Sequence, residues 1–326
     1  MRLGLQSQQL PSEVRAHSMT KSEVKPGVAP APPGDGEFSL IPHNKLLDLY
    51  AALLQCRMIA GAVENGAAPR RSRSLLISEA VTAGVTIDLL AGDAISPAPA
   101  DLTPCAVKSV AFKGVALKTL LRWWSNPSAR VPARVARANV IPPSPFTAAR
   151  LEAALRLAAH FRSTESGSVV VFFDGPDTPR SRPAGSPALS RNLLHFFMRK
   201  AARERLPILF VRQSDEDSEE LLAVSGECGV PGMVVDCDDV VAVYRVASEA
   251  LSHARRGNGP TLIDSKPWRP KGGAGKTREV YDSIGKMELY LAGKGLAFRS
   301  VKDVITKKFP AVRGRAGKAL AGEGKT

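Results

Sequence analysis

The sequence VVVFFDGP at residues 169–176 and the sequence PILFVRQSD at residues 207–215 decide the fold of this chain. Each begins as a short apolar run, rich in β-branched and aromatic residues, and ends abruptly in turn-forming or acidic residues. Such runs are typical of strands that are buried on both faces of a parallel sheet. Between them, the apolar residues of 189–203 fall on one helical stripe, namely Leu193, Leu194, Phe197 and Ala201. The stretch therefore predicts a strand, a crossover helix and a second strand.

Acidic residues follow both predicted strands, Asp174 after the first and Asp215 after the second. In open α/β sheets, ligands bind outside the carboxyl ends of the strands. Two carboxylates at that edge are suitable ligands for a hard cation such as Mg²⁺, which prefers oxygen atoms and often bridges to phosphates. From the residues alone, a plainer interpretation stays open. Asp174 and Gly175 are also common turn residues, and Asp215 also suits the start of the next helix.

The alternation of helices and strands continues on both sides of this unit. We predict helices at residues 79–90, capped by Ser78, and from Thr147, followed later by helices at 218–228 and 240–256; further strands are predicted at 233–235 and 261–265. Residues 93–104 carry three prolines and are predicted to be irregular. This order predicts an α/β fold, with a doubly wound parallel sheet flanked by helices.

Composition divides the chain into three parts. Residues 1–36 are polar and rich in proline, alanine and glycine, which predicts a disordered N-terminal leader. Residues 37–270 hold the predicted α/β domain. Residues 271–326 form a basic C-terminal tail, with helical stretches near residues 281–296 and around Val301.

The chain of 326 residues is basic, with 45 lysines and arginines against 31 acidic residues and a net charge of +14. Such a field favours polyanions or an acidic partner, or is simply a solvated surface. Neither zinc-finger spacing nor an aromatic RNA-binding motif supports nucleic-acid binding. No apolar run is long enough to span a bilayer. The four cysteines lack CxxC spacing, which favours a reduced, cytoplasmic interior.

The motifs of the carboxyl half resemble the alpha subunit of the thiamine-diphosphate-dependent first component of 2-oxo acid dehydrogenase complexes, of the pyruvate or branched-chain type. The motifs that carry this resemblance are GVPG at 229–232, VD at 235–236, DVVAVY at 239–244 and GPTLI at 259–263. Earlier, LLDLY at 46–50 is similar to the first helix of that family, and SEAV at 78–81 to the helix that follows. The resemblance spans residues 38–269 and implies a thiamine-diphosphate-binding fold.

In that family, one strand ends in Gly-Asp-Gly, whose aspartate ligates the Mg²⁺ that bridges the cofactor's pyrophosphate, and the next strand ends in two asparagines. The resemblance implies that Asp174, Gly175 and Asp215 bind the cofactor, and that Asp174 and Asp215 ligate the metal. It implies thiamine diphosphate and Mg²⁺ as cofactors, a beta subunit as partner in a heterotetramer, and contact with a lipoyl-bearing acyltransferase. The implied reaction is oxidative decarboxylation of a 2-oxo acid, with acyl transfer to lipoamide.

The chain departs from the family pattern at several places around this site, and we assign no catalytic residue. Residues 96–100 read SPAPA where the family has a phosphate-contacting Tyr-Arg pair, and WRPKGGA at 268–274 lacks the family's histidine. A second hypothesis is therefore a catalytically degenerate scaffold or regulatory paralogue of the same family. A third is a basic nucleic-acid-binding protein.

Overall fold

The computed structural model describes residues 41–66, 78–98, 139–141, 147–174, 191–213, 218–267 and 282–308. The described residues, from 41 to 308, belong to one compact unit. The predicted leader and the tail beyond residue 308 lie outside the described residues, so what the sequence predicts for them stays a prediction. None of the helices in the described ranges is long and apolar enough to cross a membrane.

Helices and strands alternate along the described ranges. The helices are α1 (His43–Gly66), α2 (Glu79–Thr86), α3 (Thr147–Ser163), α4 (Arg191–Arg203), α5 (Ser218–Glu227), α6 (Val240–Arg255), α7 (Ser283–Gly293) and α8 (Arg299–Lys308). The strands are β1 (Ala94–Ser96), β2 (Val170–Asp174), β3 (Ile208–Gln213), β4 (Gly232–Asp236) and β5 (Thr261–Lys266). The two strands and the helix of the central stretch, β2, α4 and β3, are all present.

All five strands pair in parallel, in the order β1-β2-β3-β5-β4. The chain moves outward from β2 to β3 and on to β4, and then returns to place β5 between β3 and β4. Crossovers between parallel strands are right-handed, so the return connection lies on the face opposite to the outward ones. Helices α3, α4 and α5 cover one face and α6 covers the other. The predicted doubly wound parallel sheet flanked by helices is confirmed.

Two apolar cores lie on the two faces of this sheet. The first, which we call the α6-side core, joins alternate strand residues to α1, α2, α6, α7 and α8; its strand members include Val171, Val211 and Ile263. The second, the α3-side core, joins the intervening strand residues to α3, α4 and α5; its strand members include Phe172, Phe210 and Leu262. Successive side chains of a strand point to opposite faces, which explains why each apolar run serves both cores.

Two local predictions differ from the structure. Residues 94–96 form a short strand that pairs with β2 and is bridged on its other side by Val140, although the prolines suggested an irregular segment. Helix α2 ends at Thr86 rather than at residue 90. The backbone N–H of Leu90 donates instead to the Asp93 carboxylate, at 2.6 Å. A side chain that accepts backbone hydrogen bonds competes in this way with continuation of a helix.

Helices α7 and α8 fall in the predicted tail and pack against α1. Tyr50 of α1 donates a hydrogen bond to Glu288 of α7, at 2.6 Å, and its ring meets that of Phe298 edge to face at 5.4 Å. Met287, Leu291, Val301 and Ile305 of these two helices are buried in the α6-side core. The domain boundaries predicted from composition stay predictions.

Candidate functional site

The order in which the chain adds strands to the sheet reverses between β3 and β5, which are neighbours in the sheet. From β3 the chain continues into α5 on one face, whereas the helices that come before and after β5, α6 and α7, pack on the other face. Connections that leave neighbouring strands toward opposite faces open a crevice at the carboxyl ends, and ligands of doubly wound sheets bind in that crevice. The carboxyl ends of β2, β3 and β5 are therefore the candidate site.

Three charged residues form a row across these strand ends. Asp174 of β2 lies opposite Arg212 of β3, and Arg212 lies opposite Asp264 of β5. Each follows by two positions a strand residue of the α3-side core, so all three belong to the α3-side of the sheet. Asp174 and Arg212 are half-buried, and Asp264 is buried. We call Asp174, Arg212 and Asp264 the strand-end row.

Arg150 of α3 adds a second guanidinium beneath this row. Its side chain is only 1% exposed, its Nη2 donates to the carbonyl oxygen of Phe173 at 2.8 Å, and its guanidinium carbon lies 4.6 Å from the centre of the Phe172 ring. The carbonyl belongs to the residue directly before Asp174. Arginine keeps its charge in proteins, and a buried charge requires compensation. Arg150 therefore places a permanent positive charge next to the end of β2.

The described residues of this donor set are balanced in charge, so they lack the excess of carboxylates that holds a divalent cation. Arg150 and Arg212 bring two positive charges to the place where Asp174 and Asp264 bring two negative ones. Asp174 and Arg212 are register partners on adjacent strands, and the guanidinium of an arginine keeps its positive charge in proteins. Arg212 would therefore oppose a Mg²⁺ ion at Asp174. A phosphate group is instead a natural partner for a guanidinium.

The other face of the same edge is closed by a network centred on Arg57. The Arg57 guanidinium donates to both carboxylate oxygens of Glu79 at the start of α2, at 2.6 and 2.5 Å, and to Asp282 before α7, at 2.6 Å. The backbone N–H of Ser78, which caps α2, donates to Gln213 at the end of β3, at 2.7 Å. Helix α2 therefore begins at the carboxyl edge of the sheet, and Glu79 is an ion-pair partner there.

A second cluster of acidic residues lies at the end of β4 and is paired with a lysine of the protein. The ligand atoms of Asp236, Cys237 and Asp238 lie within 4.8 Å of one another. However, Lys286 Nζ lies 3.0 Å from Asp236 and 3.9 Å from Asp238. Burial raises the pKa of Asp238, although Lys286 works in the opposite direction. The ammonium group supplies the positive charge that a metal ion would bring, so this group is a structural ion pair.

The histidines of the described ranges do not lie in the strand-end row. His160 and His253 are near the carboxyl ends of α3 and α6, which lie toward the amino edge of the sheet because the helices run antiparallel to the strands. His43 is exposed at the start of α1. His195 of α4 lies 3.0 Å from the Arg199 guanidinium, and its carbonyl accepts the Cys228 thiol. These positions are those of structural or surface residues.

Of the predicted site residues, the structure describes only Asp174, at the end of β2 where it was expected. Gly175 and Asp215 lie outside the described residues, so cofactor binding by Asp174, Gly175 and Asp215 and metal binding by Asp174 and Asp215 stay predictions. Sequence reasoning missed Arg150, Arg212 and Asp264. One signal was available: Arg150 shares a helical stripe with Ala154 and Ala158, so an arginine occupies the apolar face of α3.

Comparison with known sequences agrees with the motif order. Residues 211–274 match the family model described as the dehydrogenase E1 component. The chain is 25% identical over 289 residues to the alpha subunit of acetoin:2,6-dichlorophenolindophenol oxidoreductase from Bacillus subtilis, in an alignment that covers 82% of each chain. It is 34% identical over 98 residues to the alpha subunit of 3-methyl-2-oxobutanoate dehydrogenase from Mycobacterium tuberculosis, in an alignment that covers 26% of this chain and 27% of that one.

A transketolase from Campylobacter jejuni is similar in structure, with a TM-score of 0.46 at 14% identity; the match covers 86% of this chain and 47% of that one, a likeness too weak to bear on function. The sequence matches are more specific. They include the strand-end residues Arg212 and Asp264 within the matched range 211–274. By sequence, the chain therefore resembles, at low identity, the alpha subunits of the first component of 2-oxo acid dehydrogenases.

Proposed function

We propose that this protein is the alpha-type subunit of a thiamine-diphosphate-dependent 2-oxo acid dehydrogenase. In this role it pairs with a beta subunit, as part of a heterotetramer in the cytoplasm, and takes part in the oxidative decarboxylation of a 2-oxo acid with acyl transfer to a lipoyl-bearing acyltransferase. The observation that carries the proposal is the alignment with an alpha subunit over 82% of both chains. The polar strand-end row supports this proposal, because it lies where the strand order reverses, and doubly wound sheets bind their ligands at that place.

Thiamine diphosphate would stabilise the carbanion that forms from the 2-oxo acid. The residues of this chain would bind and orient the diphosphate end of the cofactor. Arg212 would provide positive charge at the end of β3, and the start of α2 at Ser78 would add the partial positive charge of a helix N-terminus. The Arg57 network holds α2 in that position.

The relatives differ in the substrate that their names give. Two of them are named as acetoin oxidoreductase alpha subunits, including the Bacillus subtilis protein that aligns over 289 residues. Others are named as alpha subunits of pyruvate dehydrogenase or 3-methyl-2-oxobutanoate dehydrogenase. Acetoin is therefore the second substrate to assay beside 2-oxo acids.

A second candidate function is a catalytically degenerate scaffold or regulatory subunit. The observation that favours it is the strand-end row itself, because two arginines surround the position where the family holds its metal ion. Such a protein would bind the beta subunit without binding the cofactor. The third hypothesis, nucleic-acid binding, predicts a steep fall in affinity with salt concentration and no effect of the cofactor.

The deciding experiment is a calorimetric titration of the full-length protein with thiamine diphosphate, alone and with a candidate beta subunit. Each titration is run with Mg²⁺ and with EDTA, and thiamine without phosphates serves as the control ligand. We expect thiamine diphosphate to bind when the beta subunit is present and thiamine to bind much more weakly. Association with the beta subunit without cofactor binding in either buffer would contradict the enzyme and support the scaffold.

A further inference from the structure

We propose that the strand-end row is an arginine-based diphosphate site, in which Arg212 takes over the role of a metal ion. This inference rests on the proposed function, and it concerns how the cofactor is held rather than whether it is held. The family resemblance implied a carboxylate site for Mg²⁺ at the ends of β2 and β3. The structure instead places an arginine, Arg212, in the strand position directly beside Asp174.

The position of Arg212 suits an anion that enters from the carboxyl edge. Arg212 is the next-to-last residue of β3, and β3 is one of the two strands that border the crevice. Arg212 is half-buried, so part of its surface stays in contact with solvent. The planar, always charged guanidinium matches the oxygen geometry of a phosphate group through two parallel hydrogen bonds.

In this arrangement the two aspartates of the row balance the charge of two arginines on the same side of the sheet. Arg150 is nearly inaccessible to solvent and carries a positive charge that the interior has to compensate. Asp174 and Asp264 lie in the same row on the α3-side of the sheet. Among the described residues of this edge, Arg150 and Arg212 match these two carboxylates in number, so no surplus negative charge is left. A surplus is what attracts Mg²⁺, which proteins hold by one or two carboxylates together with substrate phosphates.

Two substitutions separate an arginine site from a magnesium site because they act in opposite directions. Replacing Asp174 by asparagine removes a ligand from a magnesium site, which should abolish binding. In an arginine site, the same change removes a negative charge beside the diphosphate, which should leave the affinity unchanged or raise it. Replacing Arg212 by glutamine removes a charge-assisted pair, which should weaken binding by about tenfold to a hundredfold. In a magnesium site it would relieve repulsion and strengthen binding.

The experiment is a calorimetric titration of the full-length protein and its candidate beta subunit with thiamine diphosphate, in EDTA and in excess Mg²⁺. The variants are Asp174→Asn, Arg212→Gln and Arg212→Lys, and Arg245→Gln is the control because it removes one positive charge from an exposed position of α6. Thermal unfolding of each variant is measured first, so that a loss of binding is not confused with a loss of folding. Arg212→Lys keeps the charge without the planar fork, and its affinity should lie between those of wild type and Arg212→Gln.

We expect wild-type affinity in EDTA to lie within about threefold of that in Mg²⁺, Arg212→Gln to weaken it by about tenfold or more, and Arg245→Gln to leave it unchanged. Binding that needs Mg²⁺ and is lost in Asp174→Asn would overturn the arginine site and leave the proposed function intact. No binding of thiamine diphosphate in either buffer would overturn the proposed function together with this inference.

Discussion

Asp93 precedes β1, and its buried carboxylate accepts four hydrogen bonds. Two come from the Arg255 guanidinium at the end of α6, at 2.8 and 2.7 Å, and two from the backbone N–H groups of Val169 and Leu90, at 2.9 and 2.6 Å. The Asp93 side chain is fully buried, and that of Arg255 is 21% exposed. This one residue joins the end of α6, the turn after α2 and the start of β2 at the amino edge of the sheet.

We expect Asp93→Asn to lower the free energy of unfolding by about 3 to 5 kcal/mol, because it leaves the Arg255 charge without its buried partner. Urea denaturation of the purified protein measures this difference. Glu152→Gln is the matched control, since Glu152 pairs with Arg156 on the exposed surface of α3, where both side chains are more than half exposed. That change should cost less than about 1 kcal/mol. Equal effects of the two substitutions would refute the buried ion pair as a stabilising element.

At the scale of elements, the contact between α2 and α6 depends on a glycine. All residues of α2 from Ala80 to Thr86 are buried. A Cβ atom at Gly84 would lie 2.7 Å from Val243 Cγ1 and 3.0 Å from the backbone nitrogen of Tyr244. The two helices therefore approach as closely as they do because residue 84 has no side chain.

Gly84→Ala should destabilise the protein by about 1 to 3 kcal/mol, because overpacking at the α2–α6 contact outweighs the gain in helix propensity. Gly226→Ala in α5 is the control, because a Cβ atom there would meet nothing within 4 Å. That change should stabilise the protein by about 0.5 to 1 kcal/mol through propensity alone. Thermal or urea unfolding checks both signs, and a stabilising Gly84→Ala would show that the helices can separate without cost.

At the scale of the whole molecule, two carboxylates connect helices α1, α7 and α8. Asp282 and Glu288 pair with Arg57 and Lys302, and Glu288 also accepts the Tyr50 hydroxyl. Burial acts to raise the pKa of both carboxyl groups. For Asp282, the Gly285 backbone N–H and Arg57 outweigh burial and lower the pKa; for Glu288, Lys302 and Tyr50 do so.

Acid should therefore release α7 and α8 before the rest of the fold. A carboxyl group whose pKa is lower in the folded state contributes stability that is present above its unfolded pKa, about 3.9 for Asp and 4.3 for Glu, and that is lost as the pH falls through the folded value. Hydrogen exchange at pH 7 and near pH 3, corrected for intrinsic rates, should show protection lost in α7 earlier than in α6. Glu288→Gln should weaken α7 protection already at pH 7. Equal loss in both helices would contradict this selective release.

The sequence by itself determined most of the elements and the parallel arrangement of the sheet, although it did not indicate β1. The apolar runs at residues 169–173 and 207–211 have no polar face, so they could be stable only with helices on both sides. Ser78 caps α2 and Asp239 caps α6. Their side chains accept hydrogen bonds from backbone N–H groups only two or three residues away, so these contacts are local in the sequence. The family resemblance also came from local motifs, which keep their order along the chain.

The tertiary structure alone decided which charges meet at the strand ends. Asp174, Arg212 and Asp264 are separated by tens of residues and become neighbours only through the register of β2, β3 and β5. Arg150 joins them because α3 packs on that face, and Asp93 meets Arg255 across 162 positions of sequence. Such contacts depend on strand order and helix placement, which long-range packing determines. The aspartate that the sequence offered as a metal ligand therefore lies, in the fold, beside an arginine.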